Sequence, residues 1–204
     1  MHFDLEKVEP VIAYKLLAAT VMPRPIAWVV TQDKAGSINA APYSFFNAMG
    51  NNPPTVAMGL LADSVKGFKD TAKNILETAE FVVNLVPERL VQKMNVTAVN
   101  APHGTDELQL AGLDTTPSIH VKPPRITDSP VAFECKLLSS VVTGPHQTIV
   151  IGQVLGVHVA DEYVLDKEKA YLDTPAFDLV ARSFGSDYVR TKDVFTLERP
   201  VWGE

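Results

Sequence analysis

The apolar residues of this chain cluster in short runs of the length typical of β-strands. Two of these runs, residues 26–30 and 38–41, are separated by a polar turn that ends at Gly36. Short apolar runs joined in this way predict a β-hairpin. Pro42 follows the second run and leads into an aromatic and polar segment, residues 43–47. Flat apolar rings beside short hydrogen-bonding groups suit a pocket better than a plain core, although a strand end that feeds the core would also explain them.

Four more apolar runs predict further strands, which cover residues 55–61, 81–86, 131–143 and 148–160. The last two runs are long and are separated only by the turn 144–147. About six strands that mostly follow one another along the chain favour an antiparallel sheet. Because strands of this length can curl into a barrel, we expect a mainly β (β+α) fold with inserted helices.

Helical spacing of apolar residues predicts the inserted helices. The main helix carries its apolar face at positions i, i+3, i+4 and i+7, which are Ala72, Ile75, Leu76 and Ala79. Asp70 precedes this face and is the expected N-cap. A second helix is expected over about 88–99, with Pro87 in its first turn. Shorter helices or turns are predicted over residues 13–19, 106–111 and 176–182.

The stretch 100–130 is polar, rich in Pro and Gly, and poorly periodic apart from the short helical turn. Loops this long in compact domains usually carry function or contribute to an interface. We therefore expect this excursion to shape a site or an interface.

Composition and charge disfavour several functional classes. The length of 204 residues suits a single domain over residues 1–204. The net charge is −6, and no Lys/Arg run is dense enough to follow a phosphate backbone, which disfavours nucleic-acid binding. No apolar run approaches the ~20 residues that span a bilayer, and the acidic N-terminal region is unlike a signal peptide. We therefore expect a cytoplasmic protein without membrane contact.

The single cysteine, Cys135, leaves no partner for an internal disulfide and no thiolate cage, and no metal site is expected. Cys135 lies in an apolar run, where inert core packing is the favoured interpretation over a reactive thiol. The sequence also lacks the motifs of Rossmann folds, P-loops, zinc proteases and nucleophile-elbow hydrolases. These classes of protein therefore lose support.

Two places in the sequence suit an anion. If a helix begins at residues 69–71, its free N–H groups and dipole favour a phosphate, and Lys69 and Thr71 add a charge and a hydroxyl. These residues alone still favour an ordinary solvated helix start. Arg24 lies between two prolines, and a rigidly held guanidinium suits bidentate phosphate binding. A surface arginine in a Pro-rich turn explains Arg24 equally well.

The segment 23–54 carries a resemblance to a known family. PRPIAWV, a turn, N-x-APYSFFNA and then a Pro pair resemble the flavin reductase-like FMN-binding split-barrel family, and the resemblance covers most of the chain. It implies an FMN-binding split β-barrel with inserted helices. It also implies that the K-D-T at the helix start contacts the FMN phosphate and that the segment 43–47 lies along the flavin. The implied cofactor-binding residues are Arg24, Tyr43, Ser44, Phe45, Phe46, Asn47, Lys69, Asp70 and Thr71.

The turn between the two long strands contains the candidate catalytic residue, His146. Reductases of the family that this chain resembles often carry G-D-H at this place, with the histidine near the nicotinamide face of the flavin. Pro145 replaces that aspartate here, which weakens the implied handling of nicotinamide. A solvated or structural loop histidine is the alternative interpretation.

The resemblance implies an FMN-dependent oxidoreductase, with NADH or NADPH as the electron donor. Such a flavin reductase-like enzyme passes electrons to free flavin or to a partner oxygenase, and a homodimer is implied as well. A non-enzymatic, flavoredoxin-like FMN electron carrier with a protein partner is a second hypothesis, which Pro145 favours. A small flavoprotein oxygenase, its pocket shaped by the stretch 100–130, is a third.

Overall fold

Strands make up most of the regular structure. The structure is a computed structural model that describes residues 1–62 and 68–203. The strands are β1 (Arg24–Pro25), β2 (Ala27–Gln32), β3 (Ile38–Tyr43), β4 (Phe46–Asn51), β5 (Pro54–Leu61), β6 (Glu80–Asn84), β7 (Thr115–Thr116), β8 (Arg125–Ile126), β9 (Val131–Gly144), β10 (Gln147–Val159), β11 (Val164–Asp166), β12 (Tyr171–Leu172), β13 (Val180–Arg182) and β14 (Tyr188–Arg190). The helices are α1 (Pro10–Thr20), α2 (Asp70–Thr78), α3 (Val91–Val96) and α4 (Glu107–Leu110), with 3₁₀ turns at Glu88–Leu90, Asp161–Tyr163 and Pro175–Phe177.

Seven strands form one antiparallel sheet in the order β3-β2-β6-β9-β10-β5-β4. Strands β3 and β4 are opposite edges of this sheet, yet only Ser44 and Phe45 separate them in the chain. A connection of two residues reaches about 10 Å at most, so the two edges must lie close together and the sheet must curl. The N–H of Gly59 on β5 donates to the Phe45 carbonyl over 2.7 Å and ties the connection to the far edge. The predicted antiparallel barrel is confirmed.

The predicted hairpin is the pair β2 and β3, which run in continuous register from Ala27 opposite Tyr43 to Gln32 opposite Ile38. Its turn is fixed by Asp33, whose Oδ1 accepts the N–H groups of Ala35 and Ser37, both over 2.8 Å. A short side chain that bonds nearby backbone in this way favours a turn over continued strand. The polar residues between the two apolar runs therefore form the hairpin turn that their composition predicts.

Strand β2 is buried on both faces, which explains why its sequence is a continuous apolar run. Val29 packs inside the barrel, in the core that includes Phe81 of β6 and Ile75 of α2. Trp28 packs on the other face, in a second cluster that includes Met94. The segment from α3 to β8 thus covers the outer face of the barrel, while α2 contributes to the inner core.

Two predicted helices differ from the structure. A helix over 176–182 is wrong, because Val180–Arg182 is strand β13, paired with both β1 and β14. A short apolar run cannot be assigned to helix or strand by periodicity alone. Here the pairing with β1 makes this run a strand. The helix expected over 88–99 is shorter than predicted and is split into the 3₁₀ turn and α3.

The sequence analysis missed strand β4 and treated its first residues as the end of the preceding strand. The six predicted strands are otherwise all present in the seven-stranded sheet. Cys135 is fully buried on β9, and burial raises the pKa of its thiol to about 12, which agrees with inert packing. Over the described residues, no helix is long and apolar enough to cross a membrane.

Candidate functional site

A cavity of about 360 Å³ opens beside the start of α2. Small-molecule sites commonly enclose roughly 300–1,000 Å³, so its size suits a ligand. The end of β3, the start of α2 and the chain that follows α3 form its walls. The lining residues are Asn39, Ala41, Pro42, Tyr43, Phe68, Lys69, Asp70, Thr71, Lys73, Thr97, Ala98, Val99, Asn100, Ala101, His103 and Glu107.

The start of α2 presents backbone donors to this cavity. Lys69 occupies the N-cap position with an extended backbone, and no side chain of the part of the chain that the structure describes caps the helix. The expectation that Asp70 is the N-cap is wrong, because Asp70 is the first helical residue and its carboxylate faces the loop after α3 instead. Among the described residues, the first-turn N–H groups thus have no side-chain acceptor, and with Lys69 beside them they suit an anion.

Two buried polar side chains fix α2 against the hairpin. Thr71 is 1% exposed, and its Oγ1 accepts a hydrogen bond from Asn39 Nδ2 on β3 over 2.7 Å. Asn74, one turn later, donates from Nδ2 to Thr31 Oγ1 on β2 over 3.1 Å. Buried polar groups that find partners in this way hold their elements in one register. Sequence reasoning missed Asn39, although an asparagine in an otherwise apolar strand is a signal that could have identified it.

Glu107 and Tyr43 place two protonatable groups at the cavity. Glu107 is only 7% exposed, and its Oε2 accepts the Ala40 N–H over 2.9 Å. Burial raises the pKa of Glu107, and the bond from Ala40 only partly opposes this. Burial also raises the pKa of Tyr43 to about 12, with smaller contributions from Glu107 and Asp70. Tyr43 therefore stays a neutral hydroxyl that can donate a hydrogen bond at neutral pH.

The wall after α3 comes from residues 97–99 and from the beginning of the polar excursion that follows them. It is anchored by Trp28, whose buried Nε1 donates to Thr97 Oγ1 over 2.9 Å. Thr97 in turn donates to the Met94 carbonyl over 2.8 Å and is itself only 1% exposed, so its side chain faces the core. The expectation that the excursion 100–130 shapes a site agrees with this arrangement, since the lining includes Asn100, Ala101, His103 and Glu107.

Arg24 lies outside the cavity lining and is buried. Its Nε donates to Ser44 Oγ over 3.4 Å, and its guanidinium carbon lies 6.0 Å from the Phe45 ring centroid. Its guanidinium also donates hydrogen bonds to the backbone carbonyls of Ala18, Val21 and Ser183. In this structure Arg24 thus joins the end of α1 to the segments around Ser44 and Ser183, and its role at a phosphate stays a prediction.

The segment 43–47 is divided between two places. Tyr43 lines the cavity, whereas Ser44 and Phe45 lie beside Arg24, and Phe45 also packs against Tyr14 with ring centroids 5.9 Å apart. Phe46 packs against the barrel core, and the exposed Asn47 accepts the N–H of the next residue through its own Oδ1. Their contacts with a flavin stay predictions.

His146 is exposed at the tip of the β9–β10 hairpin and is not among the cavity-lining residues. Its carbonyl accepts the Ala62 N–H over 2.7 Å. The structure therefore brings Tyr43 together with the residues 69–71 but does not place His146 with them, and its catalytic role stays a prediction.

Glu107→Gln tests the buried carboxyl, because Gln retains an acceptor for the Ala40 N–H. Since burial raises the pKa of Glu107 in the folded state, its contribution to stability is present below the ordinary carboxyl pKa and is lost as pH rises through the raised value. We expect the free energy of unfolding of the variant, relative to the original protein, to rise between about pH 4.5 and about pH 7.5. Urea unfolding at both pH values measures this difference. The exposed Glu162→Gln is the control, and a pH-independent difference for Glu107→Gln contradicts the account.

Comparison with known proteins agrees with the geometry. The model of the flavin reductase like domain family matches residues 19–175. The 2-nitrobenzoate 2-nitroreductase NbaA of Pseudomonas fluorescens has a TM-score of 0.90 and 35% identity, covering 99% of this chain and 98% of that one. Nitrilotriacetate monooxygenase component B of Bacillus cereus has a TM-score of 0.90 and 30% identity, covering 97% and 98% of the two chains.

The fold has a further counterpart at lower identity. A split barrel domain structure from Shewanella frigidimarina has a TM-score of 0.82 and 22% identity, covering 98% of this chain and 100% of that one. The resemblance seen in the sequence is thereby confirmed, while a single domain over residues 1–204 stays a prediction. Because the family match spans most of its length, the chain belongs to the flavin reductase like family and has its split-barrel fold.

Proposed function

We propose that this protein binds FMN in the cavity beside α2, with the phosphate at the start of that helix. The observation that carries the proposal is the first turn of α2, which no side chain at positions 1–62 or 68–203 caps and which presents its N–H groups beside Lys69 within a cavity of ligand size. Thr71 and Asn39 hold this turn in place through their buried hydrogen bond. The residues present therefore fit a phosphate ester.

The remaining lining suits a flat ring system. Pro42, Tyr43 and Val99 supply apolar surface next to the polar helix start. When bound, the flavin supplies hydride and single-electron chemistry, and the protein binds and orients it. Tyr43 offers a neutral hydroxyl as a donor, and Glu107 holds a proton more readily than an exposed carboxyl because burial raises its pKa. Tyr43 can therefore hydrogen-bond a polar ligand without adding a negative charge to the site.

As an enzyme, the protein would use NADH or NADPH to reduce the flavin and pass electrons to free flavin or to a partner oxygenase. Two structural neighbours with at least 30% identity support this reading by their names, one as a nitroreductase and one as a component of a monooxygenase. The second name is the reason to propose an oxygenase partner. Direct action on an organic substrate, with the stretch 100–130 shaping its pocket, is the related alternative.

An electron carrier is the second candidate, and one observation favours it. His146, which would face the nicotinamide, is exposed at a hairpin tip and follows Pro145 rather than an aspartate. In a carrier the same cavity would hold FMN, and a protein rather than a nicotinamide would supply the electrons.

The charge at the helix start provides the direct test of FMN binding. We expect Lys69→Ala with Thr71→Ala to weaken FMN binding by about 1–3 kcal/mol, because charge-assisted bonds to the phosphate are lost. Fluorescence titration of free FMN with the purified proteins measures the dissociation constants. Lys167→Ala, at an exposed site outside the cavity lining, is the control and should leave the affinity unchanged. Equal FMN affinities for the double variant and the original protein would show that the phosphate binds at another place.

Anaerobic mixing of the FMN-loaded protein with NADH or NADPH separates the enzyme from the carrier. Loss of the flavin absorbance within seconds is expected for the reductase, since the donor transfers a hydride to the bound flavin. Dithionite serves as the control that the bound flavin can be reduced at all. Reduction by dithionite but not by either nicotinamide over many minutes rejects the reductase and supports the carrier.

We also propose a homodimer, because several large apolar side chains on β9 and β10 face solvent in the single chain. Leu138, Val142 and Val157 are 54%, 71% and 57% exposed. Surfaces of this kind commonly mark an interface. Sedimentation equilibrium of the purified protein is expected to give the mass of two chains, and the mass of one chain at micromolar concentration would reject the dimer.

A further inference from the structure

The proposed phosphate site contains an acid that should oppose an anion. Asp70 lies in the first turn of α2, one residue after Lys69, and lines the same cavity. An unpaired carboxylate there would repel a phosphate through Coulomb interaction. In the structure Asp70 is paired: its Oδ1 lies 2.5 Å from Nδ1 of His103, and its Oδ2 accepts the Gly104 N–H over 3.3 Å.

We propose that His103 is a positioning residue for the phosphate end of FMN. It pairs with the Asp70 carboxylate and, together with the Gly104 N–H, fastens the loop 100–104 to the start of α2. This inference rests on the proposed function, since it takes the helix start as the phosphate site.

The loop depends on Asp70 for its attachment. Within the described residues, the hydrogen bonds that join positions 100–104 to another element all end on the Asp70 carboxylate. The remaining bonds of the loop are local, from the N–H and Oγ1 of Thr105 to the Pro102 carbonyl. Three loop residues, Asn100, Ala101 and His103, line the cavity. Loss of the Asp70 contact would therefore free one wall of the site.

The chemistry of the two side chains determines which of them donates the hydrogen bond. A carboxylate only accepts hydrogen bonds, so Nδ1 of His103 carries the proton that joins it to Asp70. When the second ring nitrogen is also protonated, the positive ring offsets the Asp70 charge as well. The other charged groups lining the cavity are Lys69, Lys73 and Glu107, so the balance at the helix start turns positive once Asp70 is neutralised. A histidine here thus both holds the wall and removes the repulsion.

A double-mutant cycle separates these two effects. The dissociation constants of FMN and riboflavin, which lacks the phosphate, are measured for the original protein, His103→Ala, Asp70→Asn and the double variant. We expect His103→Ala to weaken FMN about tenfold and riboflavin by less than about twofold, because the exposed carboxylate then faces the phosphate. Adding Asp70→Asn to His103→Ala should restore FMN affinity in part, since it removes that charge. A role confined to holding the loop gives no such restoration.

A second variant and a control complete the experiment. His103→Gln retains a donor for Asp70 without a charge and should bind FMN with intermediate affinity. His158→Ala removes the other close histidine–carboxylate pair, His158 Nε2 to Glu134 Oε1 at 2.5 Å, which lies outside the cavity lining. It should leave the ratio of FMN to riboflavin affinity unchanged.

The failure of this inference differs from failure of the proposed function. If the original protein binds FMN and His103→Ala binds it equally well, the inference is wrong and the function stands. Equal weakening of FMN and riboflavin by His103→Ala places the histidine away from the phosphate and also overturns the inference. If the original protein does not bind FMN at all, the proposed function fails and the inference fails with it.

Discussion

The hydrogen bonds of two buried side chains on α2 determine where the candidate site forms. Thr71 and Asn74 lie inside the protein, where an unpaired polar group costs about 1–3 kcal/mol, so both must find partners. Asn39 on β3 and Thr31 on β2 provide these partners. This pairing fixes the rotation and the start of α2 against β3. The first turn of α2 and Lys69 therefore open beside Tyr43 rather than at an arbitrary point on the surface.

The curl of the sheet explains why the aromatic segment does not act as a unit. Because only two residues connect its opposite edges, the chain crosses from β3 to β4 at Ser44 and Phe45. Tyr43 stays on the cavity side of this crossing, while Phe45 packs near Arg24 and Phe46 returns to the barrel core. The division of the segment thus follows from barrel closure.

Local patterns predicted the elements, and contacts distant in sequence determined the rest. The hairpin follows from short-range signals. Of the predicted α2 face, only Ala72 and Ile75 are buried, because Leu76 is 40% exposed and Ala79 is the C-cap residue beyond the end of the helix. The family resemblance, rather than local spacing, implied the grouping of Tyr43 with the residues 69–71. Glu107 reaches Ala40 across 67 positions, and His103 reaches Asp70 across 33, so neither contact could be found from local spacing. The capping rule misplaced Asp70 for the same reason, because the competing partner of its carboxylate comes from a distant loop. Strand β13 likewise depends on pairing with β1, which periodicity does not report.

The central claim is that the start of α2 holds the phosphate of FMN, in a cavity whose acidic groups are paired or buried. A crystal structure of the protein grown with FMN tests it most directly. The account predicts phosphate oxygens within hydrogen-bonding distance of the first-turn N–H groups of α2 and of Lys69 Nζ, with His103 still on Asp70. A phosphate bound at Arg24, or a flavin seated away from Tyr43, would contradict it.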